Sequence, residues 1–499
     1  MIMKKILYSI ILISFIACDS LLDLDPTDKY STDTFWLDEE QFNAALTGCY
    51  NNFYNSLIMF NSETDMLTPN AVAYNEANNT KDVARGAGLT TSSLFLTFWR
   101  NAYQGIGRAN TLLDQIDHAT FDGSKRNQMK GEALFIRALY YSVLVDNFGD
   151  CPLITETPNN DKQGQLPRNA KSEVVEQIIT DLSEASSLLP TSYAAANTGK
   201  VTKGAALALK ARVLLYNERW ADAAQAAKEV IDLGKYILFS DYRGMYLLEN
   251  ENNKEVIFDI QYKVPYFKHG LDNAIQMLNR PAPTKNLVDA YLMTDGKSIS
   301  ESPMYDPENP YKNRDPRLHQ TVVCIGYLYN GKITVQGDVV TTGFGQKKLT
   351  SYPDNQTLQI NAGNSEINPI VIRYAEVLLT YAEALNEAGS IPSSEVYWAI
   401  NQIRKRPSVN MPEIEPGLSK EQMREVIRLE RRIELACEGF YYSDIKRWKT
   451  IEVLNNQPIY NHLGIVVENR SFNRDRDYLW PIPADEMQEN ENLVQNPNW

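Results

Sequence analysis

Apolar side chains return every three or four residues through most of this chain, which is the period of a helix with one buried face. Phe42, Ala45, Leu46, Cys49, Tyr50 and Phe53 follow it first, behind Asp38 and Gln41 at the spacing of a capping box. Phe95, Trp99, Ala102, Tyr103, Ile106, Leu113 and Ile116 lay out a second helix. Met129, Ala133, Ile136, Tyr140 and Val143 lay out a third, with FDGS at 121–124 turning the chain between them. A fourth runs over about 172–189, faced by Val174, Ile178, Leu182, Ala185 and Leu189 and stopped by Pro190. Strand patterns have period two, so such a chain is expected to be mainly α.

Residues 203–233 place Leu207, Ala211, Leu214, Trp220, Ala223, Ala227 and Val230 at the small/large spacing of a tetratricopeptide helix pair. Small alanines let a partner helix approach, and aromatic rings fill the remaining gaps. A second pair is expected at 371–406, from Leu378, Tyr381, Ala382, Leu385 and Gly389 to Val396, Ile400 and Ile403. The repeat does not tile the chain, so the expectation is a partial tetratricopeptide-like α-superhelix. Residues 236–370 break the pattern. Strand-like runs at Glu255–Tyr262 and Thr321–Tyr329 alternate there with Pro, Gly and Asn, which reads as a large irregular loop and short-strand insertion. Helix is expected again at 419–450, where Ser419 and Gln422 repeat the capping-box spacing, followed by an irregular tail.

The net charge of −14 disfavours nucleic acid and anionic lipid as partners, because both need a Lys/Arg surplus. The N-terminus carries Lys4 and Lys5, an apolar run from Ile6 to Ala17, and then Cys18. That is the anatomy of a secretory signal, too short to span a bilayer as a helix. A cysteine behind a small residue resembles a bacterial lipobox, with Phe15 where Leu is usual. Acylation of Cys18 is therefore expected, ordinary cleavage near Ala17 being the other reading. Loss of residues 1–17 takes Lys4 and Lys5 away and moves the charge to −16. Cys49, Cys151, Cys324 and Cys437 have no CxxC spacing and read as small buried apolar residues. The expected organisation is a signal at 1–17, a tether at 18–35, helical parts at 36–235 and 371–499, and the insertion at 236–370, forming one unit.

Several segments together resemble the RagB/SusD family of outer-membrane nutrient-binding lipoproteins. They include LDLDP near the start, TGCY at 47–50, and Trp99, Tyr103, Ile106 and Arg108–Asn110 as a W-x3-Y-x2-I-x-R-A-N pattern. GEALFIRALYY at 131–141, NFGDCPL at 147–153, RDPRL at 314–318 and RYAEVLLTYAEALNEAG at 373–389 follow. NQIRKR at 401–406, ERRIELACEG at 430–439, DIKRW at 444–448, WPIP at 480–483 and QNPNW at 495–499 complete the series, with Tyr441 standing where relatives often have Arg. The resemblance implies a non-enzymatic protein on the cell exterior. It would sit on a SusC-type TonB-dependent outer-membrane transporter and pass it an oligosaccharide or another oligomeric nutrient.

Other chemistries find little support. GYLYNGK at 326–332 has phosphate-loop spacing, but Ile333 stands where Ser or Thr is required. Asn330-Gly331 between strand-like runs reads as a hairpin turn. The four histidines show no metal-site spacing, HExxH, EF-hand and GxSxG motifs are missing, and no cofactor or metal is expected. An exported glycosidase would need two carboxylates across a cleft, a distance sequence cannot show. A purely structural subunit of a surface complex is the third reading. Trp99, Trp220, Trp398 and Trp448 are expected in helix packing, and Glu430, Arg431, Arg432 and Glu434 in local helical ion pairs. Sugar binding favours aromatic faces in polar loops. The candidates are Tyr74 with Asn75, Tyr266 with Phe267, and Tyr352 with Asp354.

Overall fold

Asp38 starts the first helix, α1 (Glu39–Asn51), with the expected box: its carboxylate accepts from the Gln41 amide at 3.0 Å, and the Gln41 side chain accepts from the Asp38 amide. The computed structural model describes residues 35–55, 61–73, 79–158, 162–278, 280–360 and 363–499. The expected signal, the tether up to residue 34, and Cys18 lie outside them.

Helices α2 (Ser93–Ile116) and α3 (Gly123–Phe148) form an antiparallel pair around the 121–124 turn, where Asp122 caps the Lys125 amide. Helix α4 (Lys171–Leu188) follows, tied to α3 by a two-pronged Arg137–Asp181 ion pair at 2.8 and 2.7 Å. Next come α5 (Lys203–Tyr216) and α6 (Trp220–Asp232), whose alanines Ala211, Ala223 and Ala227 are fully packed. Helix α7 (Tyr374–Ala388) then docks directly on α6, and α8 (Ser394–Arg404) and α9 (Lys420–Glu434) dock on α7. The stack is thus continuous in space although the insertion interrupts it in sequence. This is the expected mainly α, partial superhelix.

The insertion leaves and rejoins the helices through one antiparallel pair, β2 (Val256–Asp259) with β8 (Ile370–Arg373). Short antiparallel pairs also join β1 (Ala71–Val72) to β3 (Ala282–Pro283) and β4 (Val322–Cys324) to β7 (Phe344–Gln346). Thr321–Tyr329 is therefore not one strand. Its first half pairs with β7, and only β5 (Leu328–Tyr329) and β6 (Lys332–Ile333) form the hairpin, with Asn330 and Gly331 at φ 46° and 74° as a two-residue turn requires. Another pair, β9 (Ile459–Tyr460) with β10 (Val466–Glu468), lies in the tail.

The helix expected over 419–450 is broken. α9 ends at Glu434, and α10 (Tyr441–Arg447) begins after a bend in which Cys437 and Gly439 take φ 66° and 81°. Gly439 permits that geometry at no steric cost. The bend turns Glu438 into the interior, and the expected local ion pairs of 430–434 are replaced by long-range ones. Glu434 holds Arg373 and Arg406 at 2.8 Å and Arg317 at 3.0 Å, and Glu430 holds Arg317 at 2.5 Å and Arg404 at 2.8 Å. Glu438 takes Arg373 at 2.7 Å and Lys348 at 2.5 Å, Glu255 takes Arg373 and Arg406, and Asp315 takes Arg317. Five cations face five carboxylates, all buried, so the charges cancel without water. Arg431 turns to Asp444, and Arg432 to Asn70 and the Asn286 carbonyl.

Trp99 is buried and Trp220 packs partly buried on the core, as expected. Trp398 differs, being 41 % exposed on the outer face of α8. Trp448 is half-buried between the Arg428 and Arg447 guanidiniums, each 4.9 Å from its ring. The cysteines Cys49, Cys151, Cys324 and Cys437 are buried thiols outside any disulfide, and burial pushes Cys49, Cys151 and Cys324 up to about 12. No helix among the described residues is long and apolar enough to cross a membrane.

Candidate ligand-binding site

Just beyond β2 the chain makes a tight loop. The Lys263 amide donates to the Phe267 carbonyl at 2.8 Å, and the Phe267 and Tyr266 amides donate back to the Lys263 carbonyl at 2.9 and 3.0 Å. With its backbone so closed, the loop lifts its aromatic side chains outward: Tyr266 is 84 % exposed and Phe267 43 %. Such exposure is costly for rings of this size unless something covers them.

Phe267 rests on an aromatic base. Phe267 lies flat on Tyr54, with centroids 4.4 Å apart and planes 15° from parallel. Tyr54 meets Tyr262 edge-on at 5.0 Å, and Tyr262 meets His269 edge-on at 4.5 Å. The Tyr54 hydroxyl donates to the Gln261 carbonyl at 2.9 Å, and the His269 Nε2 lies 2.8 Å from the Ile367 carbonyl oxygen. Polar groups border the rings: the Lys268 ammonium donates to Asn364 at 2.8 Å, and Lys263 lies 3.5 Å from Glu366. Below them Asn368 is held by two acids, Glu251 accepting from its amide at 3.1 Å and Asp259 from its side chain at 3.2 Å. Burial raises these carboxyls to about 7 and about 6 respectively.

The other proposed aromatics are placed differently. Tyr352 is only 4 % exposed, packed with Val323, Tyr329 and Val339, so it offers no open face. Asp354 is half-exposed and pairs with Lys347 at 2.6 Å. The two loops are linked through buried Asp272, which accepts from the Ser351 amide and from the Ser365 hydroxyl. Tyr74 and Asn75 lie outside the described residues. Tyr54 is not among the sequence candidates because it lies past the end of α1, in the short 3-10 turn Asn52–Asn55, one position off the apolar period that ends at Phe53. The Phe53-Tyr54 doublet in that turn is the signal available.

The W-x3-Y-x2-I-x-R-A-N pattern lies elsewhere and is largely structural. The Tyr103 hydroxyl donates to the Pro152 carbonyl at 2.9 Å, Asn110 donates to the Ile154 and Glu156 carbonyls, and Arg108 donates to the Gly48 carbonyl. The Tyr103 and Asn110 bonds pin the 152–156 segment across α2, the Arg108 bond ties α2 to α1, and a groove of about 550 Å³ lies between that segment, Trp99 and the tail near Leu493.

The molecule is thus a helical-repeat stack carrying a looped insertion with an aromatic surface raised on it. Residues 248–499 match the SusD family, and residues 21–215 match a family described as starch-binding and associating with the outer membrane. The chain belongs to the SusD family. It is 26 % identical to SusD-like protein P2 of Formosa agariphila, over 99 % of this chain and 98 % of that one. It is 25 % identical to a SusD-like protein of Bacteroides ovatus, covering 89 % of this chain and 83 % of that one. Among solved structures, a SusD-like carbohydrate-binding protein from Bacteroides fragilis is 28 % identical with a TM-score of 0.85, covering 92 % of this chain and all of that one.

Proposed function

We propose that this protein is a lipid-anchored lipoprotein on the outer face of the outer membrane. It captures an oligomeric glycan on the Tyr266–Phe267 surface and hands it to a SusC-type TonB-dependent transporter, with no covalent chemistry of its own. The observation carrying this reading is the Tyr266 ring, held almost wholly in solvent next to Phe267, which stacks on Tyr54. A sugar ring presents C–H groups to such a face, while Lys263, Lys268 and Asn364 stand ready for its hydroxyls. Membership of the SusD family and the carbohydrate binding of the Bacteroides fragilis relative support the reading. The insertion at 236–370 supplies the ligand loops, and Tyr74 and Asn75 contribute from the segment after β1.

Calorimetry of the mature protein against a panel of neutral and acidic oligosaccharides tests this. At least one oligosaccharide binds, and Tyr266→Ala weakens it by about tenfold, ~1.4 kcal/mol, with an unchanged melting temperature because the side chain is exposed. Absence of binding across the panel, or binding indifferent to Tyr266→Ala, overturns the assignment.

A further inference from the structure

A second concavity opens beside the aromatic surface. It holds about 260 Å³ between the 191–202 loop, the end of α6 and the residues leading into β2. Three lysines line it, Lys200, Lys235 and Lys254. Lys235 and Lys254 are exposed and form no ion pair among the described residues, while Lys200 reaches only Glu132, at 3.5 Å. In a chain of net charge −14 a cleft of this sign stands out. The one carboxylate among its lining residues, Asp259, has both oxygens engaged, by Gln261 at 2.6 Å and Asn368 at 3.2 Å. The remaining wall is rich in neutral polar groups, including Thr198, Asn252 and Tyr236.

Gln261 joins this cleft to the aromatic loop. Its side-chain amide pairs with that of Asn252 at 2.9 and 3.4 Å on the cleft side, and its carbonyl takes the Tyr54 hydroxyl on the other. Gly199 lies so close that a Cβ there would be 2.3 Å from the Gln261 side chain, at a φ of 89° that favours glycine. The loop bearing Lys200 is thereby seated against the base of the aromatic surface.

We propose that the lysine-lined cleft is a subsite for an anionic sugar unit, a uronate or a sulfate ester, of the same glycan whose neighbouring ring stacks on Tyr266. The inference rests on the glycan-capture reading and adds the charge class of the ligand. Lysine ammoniums recognise carboxylate and sulfate as point charges, and the surrounding hydroxyl and amide groups suit a sugar ring better than a bare ion. A charged contact of this kind weakens as salt rises.

The test is calorimetry of the mature protein with three probes: oligogalacturonates, sulfated galactan oligosaccharides and neutral β-1,3-glucan oligosaccharides. One acidic probe binds at least about tenfold tighter than the neutral one, the preference shrinks with added salt, and Lys235→Gln with Lys254→Gln abolishes it. Which acidic probe binds distinguishes carboxylate from sulfate. Neutral oligosaccharides bound as tightly, or acidic binding unmoved by the two lysine substitutions, overturns this inference and leaves glycan capture standing. No binding by any probe, with the Tyr266→Ala variant equally inert, overturns both.

Discussion

Glu434 is fully buried among three guanidiniums. Burial alone would raise its carboxyl, but Arg406, Arg373 and Arg317 overcome that and hold it well below the usual carboxylate range. Glu434→Gln strands uncompensated positive charge in the interior and is expected to cost about 3–5 kcal/mol in urea denaturation. The exposed pair Lys405–Glu413 supplies the contrast, since Lys405→Ala is expected to change stability by less than ~1 kcal/mol. Asp65 behaves oppositely. Burial raises its carboxyl to about 7, against the partial relief of the Gly439 amide and Lys348. A group whose folded pKa is raised contributes stability below its unfolded value near 4, and loses it as pH rises through 7. Asp65→Asn is therefore expected to flatten the fall in melting temperature between about pH 4 and 7. An unchanged pH profile sinks that expectation.

Between elements, the contact of α2 with α3 depends on a missing side chain. A Cβ on Gly105 would lie 2.0 Å from the Tyr140 ring. That ring cannot retreat, because it stacks on Phe53 at 5.6 Å and its hydroxyl accepts from Asn52 at 2.8 Å. Gly105→Ala is expected to lower stability by about 1–3 kcal/mol despite alanine's better helix propensity. Gly48→Ala on α1, with no atom within 4 Å of the added methyl, is expected to stabilise by up to ~1 kcal/mol. Thermal melts of the two variants should move in opposite directions. The capping boxes at Asp38 and Ser419 are legible in the sequence because they are local. The break at Cys437–Gly439 is not, since apolar spacing continues across it and the bend is favoured by distant partners, those of Glu438 and the Asp65 and Thr64 side chains on Gly439.

Over the whole molecule, the motifs that made the chain recognisable are mostly structural. Arg317, Arg373, Arg404, Arg406, Glu430, Glu434 and Glu438 all come from such segments, and all join the buried ion network that clamps the insertion to the helices. The surface proposed for the ligand lies outside those motifs, on loops carried by a rigid scaffold. The membrane anchor proposed at the N-terminus is tested by labelling cells with a fatty-acid analogue. Label is expected on the wild-type protein and lost in Cys18→Ala, because the substitution removes the thiol that would be acylated. Label retained in Cys18→Ala, or a soluble wild type, refutes the anchor.

The amino-acid sequence alone determined the helical scaffold, its turns, its caps and the irregular insertion, because each depends on spacings of a few residues. Only the tertiary structure decided which charges are buried, that Tyr54 supports Phe267, that Tyr352 is packed away, and that Lys200, Lys235 and Lys254 share one cleft. Those outcomes rest on side chains far apart in the chain, brought together by the docking of α7 on α6 and the pairing of β2 with β8, and no local pattern encodes them.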